Sequence, residues 1–340
     1  MELALASLGD LLPNPHTGLS RTEAQRHRSF IDQGVLAERL GFDAIHLGEH
    51  HFCSYVLSAP AVVLAAIAER TTTLRLGTSI TLVGNNDPVR LAEDYATVDL
   101  LSGGRVEIVS GRGAPFVATY RGFGQSIETA RERYDENVRL LHRLLTETGV
   151  TWAGDFRSGF DDLTVRPRPL DRIPLWVGAS SRESVQLAAE LGAGLMLPSV
   201  FGRPEHFRTI VDWYHEAWAS AGRPEADARV GAISHAHVAS TVEEAKARWE
   251  PYYRNYWDFV GGLVVPAGYK WPAFEYDNLL AGPAICGSPQ SVVEQMGHWN
   301  ETLGLDRQLF MFDLGGIETE VLTESIELFA SEAMPELARL

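Results

Sequence analysis

The sequence predicts a single (β/α)₈ barrel, and three observations carry that prediction. The chain of 340 residues is 45% hydrophobic, which is enough for one large core. Its charged residues, 22% of the chain, are too few and too evenly mixed for a disordered protein. Short apolar runs alternate with amphipathic stretches along the whole chain. Eight strand–helix alternations indicate a parallel sheet, and eight strands are the number that closes into a barrel.

Each predicted strand is a short apolar run, and each predicted helix has its apolar residues three to four positions apart. The strands are Glu2–Ser7, Ala44–Leu47, Leu74–Leu82, Val106–Ser110, Pro174–Val177, Gly194–Leu197, Val230–Val238 and Gln308–Leu314. The helices are Thr22–Leu40, Pro60–Arg70, Pro88–Leu101, Ile127–Glu147, Arg182–Leu191, Glu205–Ala221, Thr241–Tyr253, Ser288–Leu303 and Glu318–Glu332. Ser181 and Thr241 stand at helix starts and Gly41 and Gly192 at helix ends, where these residue types are preferred.

A doubly wound open sheet is the structural alternative to the barrel. Such a sheet is expected to carry G-x-G-x-x-G after its first strand, and that region has no such run. The nearest approach is Gly111-Arg-Gly-Ala-Pro-Phe116, in which Pro115 occupies the position where a helix should begin and the third glycine is missing. The sequence therefore disfavours a dinucleotide-binding fold.

The stretch over residues 254–287, before the last strand, does not fit the short connections of a barrel. It is rich in aromatic residues, glycine and proline, as in Asn255-Tyr-Trp-Asp-Phe and Tyr269-Lys-Trp-Pro-Ala-Phe. A loop this long inside a compact barrel is usually a lid or a binding loop. We expect one domain over residues 1–340 with a lid or insertion at 254–287; an ordered insertion packed on the side of the barrel is the alternative.

Charge and composition disfavour several classes of protein. The 29 basic and 45 acidic residues give a formal charge of −16 without a basic run, which disfavours a nucleic-acid partner. The first residues lack the features of a signal peptide, and no apolar segment has the length that a bilayer requires. Cys53 and Cys286 match no redox or zinc spacing. We expect a cytoplasmic protein without a membrane partner.

The second predicted strand ends in Gly48-Glu49-His50-His51-Phe52. In a barrel, the chemistry lies at the carboxyl ends of the strands. Two adjacent imidazoles and a carboxylate at such an end provide a general base, a proton relay or metal ligands. The alternative is that one histidine is structural and holds neighbouring loops together.

The fourth and fifth predicted strands end in residues suited to an anion. Arg112 lies between Gly111 and Gly113, so backbone N–H groups and a guanidinium can approach one anion together. Residues 178–184, Gly-Ala-Ser-Ser-Arg-Glu-Ser, open a helix, and free N–H groups with hydroxyls at a helix start can hold a phosphate. Alone, the serines indicate a helix cap; with Arg112 on the neighbouring strand, they predict a phosphate site.

Six segments together resemble the bacterial luciferase family in order and spacing, and the resemblance covers essentially the whole chain. The segments are Glu49-His-His-Phe, Leu76-Gly-Thr-Ser-Ile-Thr, Asp87-Pro-Val-Arg-Leu-Ala-Glu-Asp94, Leu100-Leu-Ser-Gly-Gly-Arg-Val-Glu-Ile-Val-Ser-Gly-Arg-Gly113, Trp176-Val-Gly-Ala-Ser-Ser and Gly287-Ser-Pro-Gln-Ser-Val-Val. The match is strongest over residues 40–115 and weakest through 254–287. The expected fold is thus a (β/α)₈ barrel of the bacterial luciferase type with a long insertion before its last strand.

The resemblance implies a role for each matching residue. His50 matches the catalytic histidine beside the flavin, and Glu49 and His51 would support it. Ser79-Ile80 matches a non-prolyl cis peptide under the isoalloxazine ring. The matches to the residues that bind the flavin phosphate are Arg112, Gly113, Ser181 and Ser184, with Ser180 as a near neighbour.

The resemblance also implies a reaction. Reduced FMN from a separate reductase would react with O₂ to give a C4a-peroxyflavin, which a water-poor site protects while oxygen passes to a small organic substrate. Glu-His-His-Phe resembles the FMN branch of the family; a deazaflavin-dependent oxidoreductase of the same fold is the alternative. The family also suggests a homodimer or larger homo-oligomer.

Two alternatives come from other classes. A metal-dependent hydrolase barrel would use His235 and His237, which share a face of the seventh strand, with Asp313 on the eighth. No third ligand is identified by spacing, and the resemblance implies no metal. A non-catalytic flavin-binding relative is the other alternative, against which the combination of His50, Arg112 and the serines argues.

Overall fold

The computed structural model describes residues 1–113 and 116–340, and its centre is a closed barrel of eight parallel strands. The order around the barrel is β1, β2, β3 with β4, β5, β8, β9, β10 and β12, and β12 pairs with β1 to close it. The strands are β1 Glu2–Ser7, β2 Ala44–Leu47, β3 Arg75–Thr78, β4 Thr81–Leu82, β5 Val106–Gly111, β6 Val150–Trp152, β7 Phe160–Leu163, β8 Leu175–Gly178, β9 Gly194–Leu197, β10 Val230–Val238, β11 Ile285–Gly287 and β12 Arg307–Met311. The predicted barrel is confirmed.

Helices surround the barrel and connect its strands. They are α1 Glu23–Leu40, α2 Pro60–Ala68, α3 Pro88–Ser102, α4 Val117–Gly122, α5 Ala130–Thr146, α6 Arg182–Leu191, α7 Pro204–Ser220, α8 Val242–Val264, α9 Tyr276–Leu280, α10 Pro289–Leu303, α11 Thr319–Leu328 and α12 Met334–Leu337. Within the described ranges, none of these helices combines the length and the apolar character that crossing a bilayer takes. The hairpin of β6 and β7 is antiparallel and lies outside the barrel.

Polar side chains fill part of the barrel interior below the mouth. Glu107 on β5 lies 2.9 Å from His46 Nε2 on β2 and forms an ion pair with Arg307 on β12. All three side chains are at most 2% exposed. Burial alone would raise the pKa of Glu107, but the hydrogen bond from His46 and the charge of Arg307 outweigh it and lower that pKa. The interior is therefore a packed floor beneath the site.

Two predicted strands differ from those of the structure. The prediction of one strand over Leu74–Leu82 was wrong, because the chain leaves the ladder at Ser79 and Ile80 and forms the separate strands β3 and β4. The last strand was predicted to reach Leu314 but ends at Met311. In both places the chain leaves the sheet at its carboxyl end, where the functional residues lie.

The helix predicted to end at Tyr253 continues to Val264, so the stretch 254–287 is not one loop. Its first part belongs to α8, and α9 and β11 lie within the rest. The continued helix buries a stripe of large side chains at Trp249, Tyr253, Tyr256 and Val260, spaced by three or four residues. Of the aromatic residues that suggested a loop, Tyr256 and Trp257 thus lie on the packing face of a helix, whereas Trp271 and Phe274 lie beyond its end. β11 pairs in parallel with the end of β10.

Candidate functional site

A cavity of about 490 Å³ opens at the carboxyl end of the barrel strands. It brings together all the predicted site residues except His51. These are Glu49, His50, Ser79, Ile80, Arg112, Gly113, Ser180, Ser181 and Ser184. The residues come from the turns that follow β2, β3, β5 and β8 and from the start of α6, so only the closed barrel places them side by side. The volume lies within the ~300–1,000 Å³ that is usual for ligand and cofactor sites.

His50 stands at one end of this cavity, and aromatic rings hold its imidazole. The ring stacks on Tyr55 with 4.0 Å between ring centroids and an interplanar angle of 23°, and Phe116 lies at 5.7 Å. Nδ1 of His50 is buried and has no hydrogen-bond partner among the described residues. Burial, with the charge of His51 beside it, lowers the pKa of His50 to about 3. The ring faces the cavity as a neutral imidazole.

Glu49 connects the end of β2 to the turn after β4. Its Oε2 accepts from the backbone N–H of Leu82 at 2.9 Å, and its Oε1 accepts from Nδ2 of Asn86 at 2.7 Å. The same Oε1 lies 2.8 Å from Nε2 of His51. His51 lies behind the cavity wall, with the edge of Phe123 at 4.7 Å. Glu49 therefore lines the cavity and holds His51 behind the cavity wall.

The peptide between Ser79 and Ile80 is cis, as the resemblance implied. Ile80 lies against β5, where a Cβ atom on Gly111 would come within 2.2 Å of Cδ1 of Ile80. Only glycine at position 111 leaves room for that side chain. Gly113 has φ +90°, a left-handed conformation that favours glycine. These two glycines shape the cavity floor beside Arg112.

At the opposite end of the cavity, the serines form a helix cap. Ser181 is the N-cap residue of α6, and its Oγ accepts from the N–H of Ser184 at 3.3 Å. Oγ of Ser184 accepts from the N–H of Ser181 at 3.0 Å and of Ser180 at 3.2 Å. The cap and the predicted phosphate site therefore share the same atoms. Arg112 is exposed above them and forms no ion pair within the described parts of the chain.

The sequence analysis missed one face of α5. Arg131, Tyr134 and Asp135 line the same cavity, and a guanidinium nitrogen of Arg131 lies 3.4 Å from the carboxylate of Glu183. Arg131 adds a second cation to the end that holds Arg112. Tyr134 and Asp135 follow Arg131 by three and four positions, and this helical spacing is the one sequence signal that could have grouped the three residues.

An aromatic chain joins His50 to β10. The hydroxyl of Tyr55 donates to that of Tyr256 at 2.9 Å, and the ring of Tyr256 lies 5.2 Å from that of His235. Nδ1 of His235 lies 3.0 Å from the hydroxyl of Tyr253. Because Tyr253 and Tyr256 belong to α8, the second half of this helix forms the rim of the barrel mouth on the β10 side. Tyr55 and Tyr256 were not among the predicted site residues.

The histidines of β10 and Asp313 do not form the metal site that the hydrolase alternative requires. His237 stacks on Trp249 at 6.1 Å, and Asp313, which lies beyond the end of β12, accepts from Gln33 at 2.7 Å and pairs with Arg26. Across residues 1–113 and 116–340, no group of three His, Cys, Asp or Glu residues is arranged to hold a metal ion. The structure gives that alternative no support.

Comparisons with known proteins agree with this geometry. Residues 7–307 match the family model described as luciferase-like monooxygenase. The chain is 25% identical over 340 residues to the oxygenase component of a flavin-dependent trigonelline monooxygenase from Acinetobacter baylyi. That alignment covers 93% of this chain and 91% of the relative.

Solved structures have the same fold. The monooxygenase RslO1 from Streptomyces bottropensis gives a TM-score of 0.88 at 25% identity, covering 99% of this chain and 100% of that one. The oxygenating constituent of 3,6-diketocamphane monooxygenase from Pseudomonas putida, in complex with FMN, gives 0.78 at 19% identity and covers 98% of each chain. An F420-dependent secondary alcohol dehydrogenase gives 0.77 at 16% identity, covering 99% and 98%. The last two similarities bear on the fold alone.

Proposed function

Because the chain belongs to the luciferase-like monooxygenase family, we propose that it uses reduced FMN and O₂ to oxygenate a small organic substrate. The observation that carries this proposal is that one cavity is lined both by His50 and by an N–H-rich helix start with Arg112 and Arg131 beside it. A flavin nucleotide combines a reactive ring with a phosphate, which these two groups of residues would contact. Bound reduced flavin supplies the electrons that activate O₂.

The residues present fit such a cofactor. Nδ1 of His50 is a buried polar atom without a protein partner, and a buried polar group usually has one. Gly111 makes room for the side chain of Ile80 in the cavity wall, and Gly113 adopts a left-handed conformation next to Arg112. Ser79 and Ile80 would lie under the ring. The N-terminus of α6 favours negative charge through its dipole and its N–H groups.

At the phosphate end, Arg112 and Arg131 supply the positive charge. Arg112 can form a bidentate contact with phosphate oxygens, and Arg131 lies across the cavity on α5. The hydroxyl protons of Ser180 and Ser181 can point to the same anion while Oγ of Ser181 still caps α6, and the hydroxyl of Ser184 donates to the carbonyl of Ser181. Gly113 lets the backbone of β5 approach the phosphate.

At the ring end, His50 is the proposed acid/base. Its imidazole is neutral because burial and His51 disfavour the charged form, so it can accept a proton in the first step that it takes part in. The stack on Tyr55 fixes the plane of the ring. Glu49 in the cavity wall and His51 behind it hold the end of β2, and Phe116 excludes water from one side of the imidazole.

A separate flavin reductase is part of this proposal. The similarity to a relative named as the oxygenase component of a flavin-dependent monooxygenase supports it. The alternative within the same fold is a deazaflavin coenzyme, which an F420-dependent neighbour uses. Titration of the purified protein with FMN and with the deazaflavin compares the two, and we expect the tighter binding for FMN. Tighter binding of the deazaflavin would replace the proposal with a deazaflavin-dependent oxidoreductase.

The phosphate contact provides the main test. Replacing Arg112 by alanine removes a charge-assisted contact of about 1.5–3 kcal/mol, so FMN should bind about ten- to a hundredfold more weakly. Riboflavin has no phosphate, and its affinity should not change. Arg70→Ala, an exposed change between α2 and β3, is the matched control. Equal losses for FMN and riboflavin would remove the phosphate assignment.

We further propose that the protein is a homodimer or a larger homo-oligomer. Large apolar side chains are exposed on the neighbouring helices α2 and α3, with Val62 70% and Leu101 51% accessible. Apolar surface of this kind is typical of contacts between subunits. Sedimentation velocity at micromolar concentration should give at least twice the mass of one chain, and a monomer there would contradict the proposal.

A further inference from the structure

His235 on β10 borders the cavity from above. Ile233, two residues before it on the same strand, lines the cavity, and so does Met311, its register partner on β12. Side chains two residues apart on a strand, and side chains paired across parallel strands, point to the same face. The imidazole of His235 therefore projects to the inside of the barrel, next to two residues of the cavity wall.

One nitrogen of this imidazole has a partner and the other does not. Nδ1 lies 3.0 Å from the hydroxyl of Tyr253, whereas Nε2 is buried with no hydrogen-bond partner in the described residues. Burial lowers the pKa of His235 to about 3 and raises that of Tyr253, so the imidazole is neutral and the hydroxyl keeps its proton.

The tautomer of His235 follows from counting the polar groups that each arrangement leaves without a hydrogen-bond partner. If Nδ1 donated to Tyr253, both the hydroxyl proton and the lone pair of Nε2 would be left without partners. If Tyr253 donates to Nδ1, only the N–H at Nε2 is left. Because buried polar groups are paired wherever possible, the second arrangement is favoured. Nε2–H of His235 is thus a buried donor without an acceptor.

The surroundings of this donor are aromatic. The ring of His235 meets Tyr256 edge-on at 5.2 Å and Phe201 at 6.4 Å. Phe201 follows Val200, which lines the cavity, and is 55% exposed. An apolar ring exposed at a cavity rim gains free energy when a ligand covers it.

We propose that Nε2–H of His235 donates a hydrogen bond to the carbonyl oxygen of an aryl ketone substrate whose ring packs between Phe201 and Tyr256. This proposal rests on the proposed function, because it places the substrate at the mouth of the flavin cavity. His235 is buried in this structure with the ring of Phe201 6.4 Å away, so the proposal requires Phe201 to move and open the donor to the cavity. His237 lies two residues farther from Ile233, stacks on Trp249 and takes no part in binding.

Two probes of the same shape separate the hydrogen bond from apolar burial. Acetophenone carries the carbonyl, and 2-phenylpropene has a methylene group in its place. Ligand-observed NMR titrations of the protein, with and without FMN, give the affinity of each probe. The parent protein should bind acetophenone about ten- to a hundredfold more tightly, because only this probe pairs the buried donor. His235→Phe should abolish that preference, and the matched control His237→Phe should keep it.

A further variant and a folding control test the same hydrogen bond. His235→Gln retains a donor and should recover part of the preference for acetophenone over 2-phenylpropene. Circular dichroism verifies that each variant is folded. Equal affinity of the parent for the two probes, or an unchanged preference in folded His235→Phe, would overturn the proposal. So would equal binding of acetophenone and cyclohexyl methyl ketone, or no binding by any probe. Absence of FMN binding would overturn the proposed function instead, and the flavin-free titration would still test His235.

Discussion

Two pairs of histidines lie near strand ends in this protein, and their surroundings differ. Beside His50 and His51, the carboxylate of Glu49 pairs with one ring and leaves the other facing the cavity. On β10, aromatic side chains take the place of the carboxylate: the hydroxyl of Tyr253 meets His235, and Trp249 stacks on His237. The two pairs therefore differ in the side chains that surround them. The chemistry of each histidine depends on the partner that another element brings to it.

The largest effect is expected at the first pair. Replacing His50 by alanine should lower turnover about 10²- to 10⁴-fold, because a positioned acid/base is lost, while FMN affinity should stay near the parent value. His51→Ala should leave turnover less affected and lower the free energy of unfolding by about 1–3 kcal/mol, because Glu49 loses a buried partner. Stopped-flow kinetics with reduced FMN and O₂, and urea unfolding, measure the two effects.

If His50→Ala turned over at the parent rate, both His50 and His51 would be assigned a structural role instead. The same substitution at His237 is the comparison across the two pairs, since that ring is buried without a proposed role in the reaction. A loss of turnover in His237→Ala as large as that in His50→Ala would contradict the proposal that only His50 of these two acts in the reaction.

The second pair should be visible in the pH dependence of stability. Burial lowers the pKa of His235 and of His237 to about 3, so below pH ~6.5 the unfolded chain binds protons that the native protein does not. The free energy of unfolding should therefore fall as the pH falls, by up to about 1.4 kcal/mol per pH unit for each ring. Burial raises the pKa of Asp10 to about 6, which offsets part of this slope, since stability from that group is lost as the pH rises.

His237→Phe isolates one of these rings. Urea unfolding at pH 6.5, 5.5 and 4.5 should give a slope that is shallower by about one proton than that of the parent. Replacing the exposed His206 by phenylalanine should leave the slope as it is. A parent-like slope in folded His237→Phe would mean that this ring is protonated in the native state.

The smallest effect concerns the link between the two pairs. Tyr256→Phe removes the acceptor of the Tyr55 hydroxyl and should cost about 0.5–1.5 kcal/mol of stability while the stack on His50 is kept. If Tyr55 also orients His50, the pH profile of turnover should shift in Tyr256→Phe and in Tyr55→Phe alike. The control Tyr276→Phe removes a hydroxyl that donates to the carbonyl of Lys246 on α8 and also contacts Cys286. A shift in the control alone would contradict the link.

Local signals predicted the elements that begin and end on capping residues. Helix α6 runs over its predicted residues because Ser181 caps its start and Gly192 ends it in a left-handed conformation. Helix α8 was predicted too short, because its aromatic stripe becomes a buried packing face only when the barrel lies against it. The cis peptide between Ser79 and Ile80, at the break between β3 and β4, has no local signal of its own and was expected only from the family resemblance.

The site residues also divide into those that local sequence signals predict and those that only contacts between distant elements bring together. Residues adjacent in the sequence, such as Glu49 with His50 or Ser181 with Ser184, can be grouped from the sequence alone. Arg131 cannot, since α5 brings it to Arg112 only when the barrel has closed. Tyr55 and Tyr256 are 201 positions apart, and their hydrogen bond depends on the path of α8 across the mouth.

The path of α8 has a consequence for engineering this protein. The stretch 265–284 leaves the end of α8 and returns at β11, which is fixed to β10, and its Trp271 and Phe274 pack back onto Trp257. Among its described residues, none lines the cavity that holds the predicted flavin-binding residues. We therefore expect substitutions in the exposed part of this stretch to change which substrates enter while FMN affinity stays constant. Substrate range and cofactor use can then be selected one at a time.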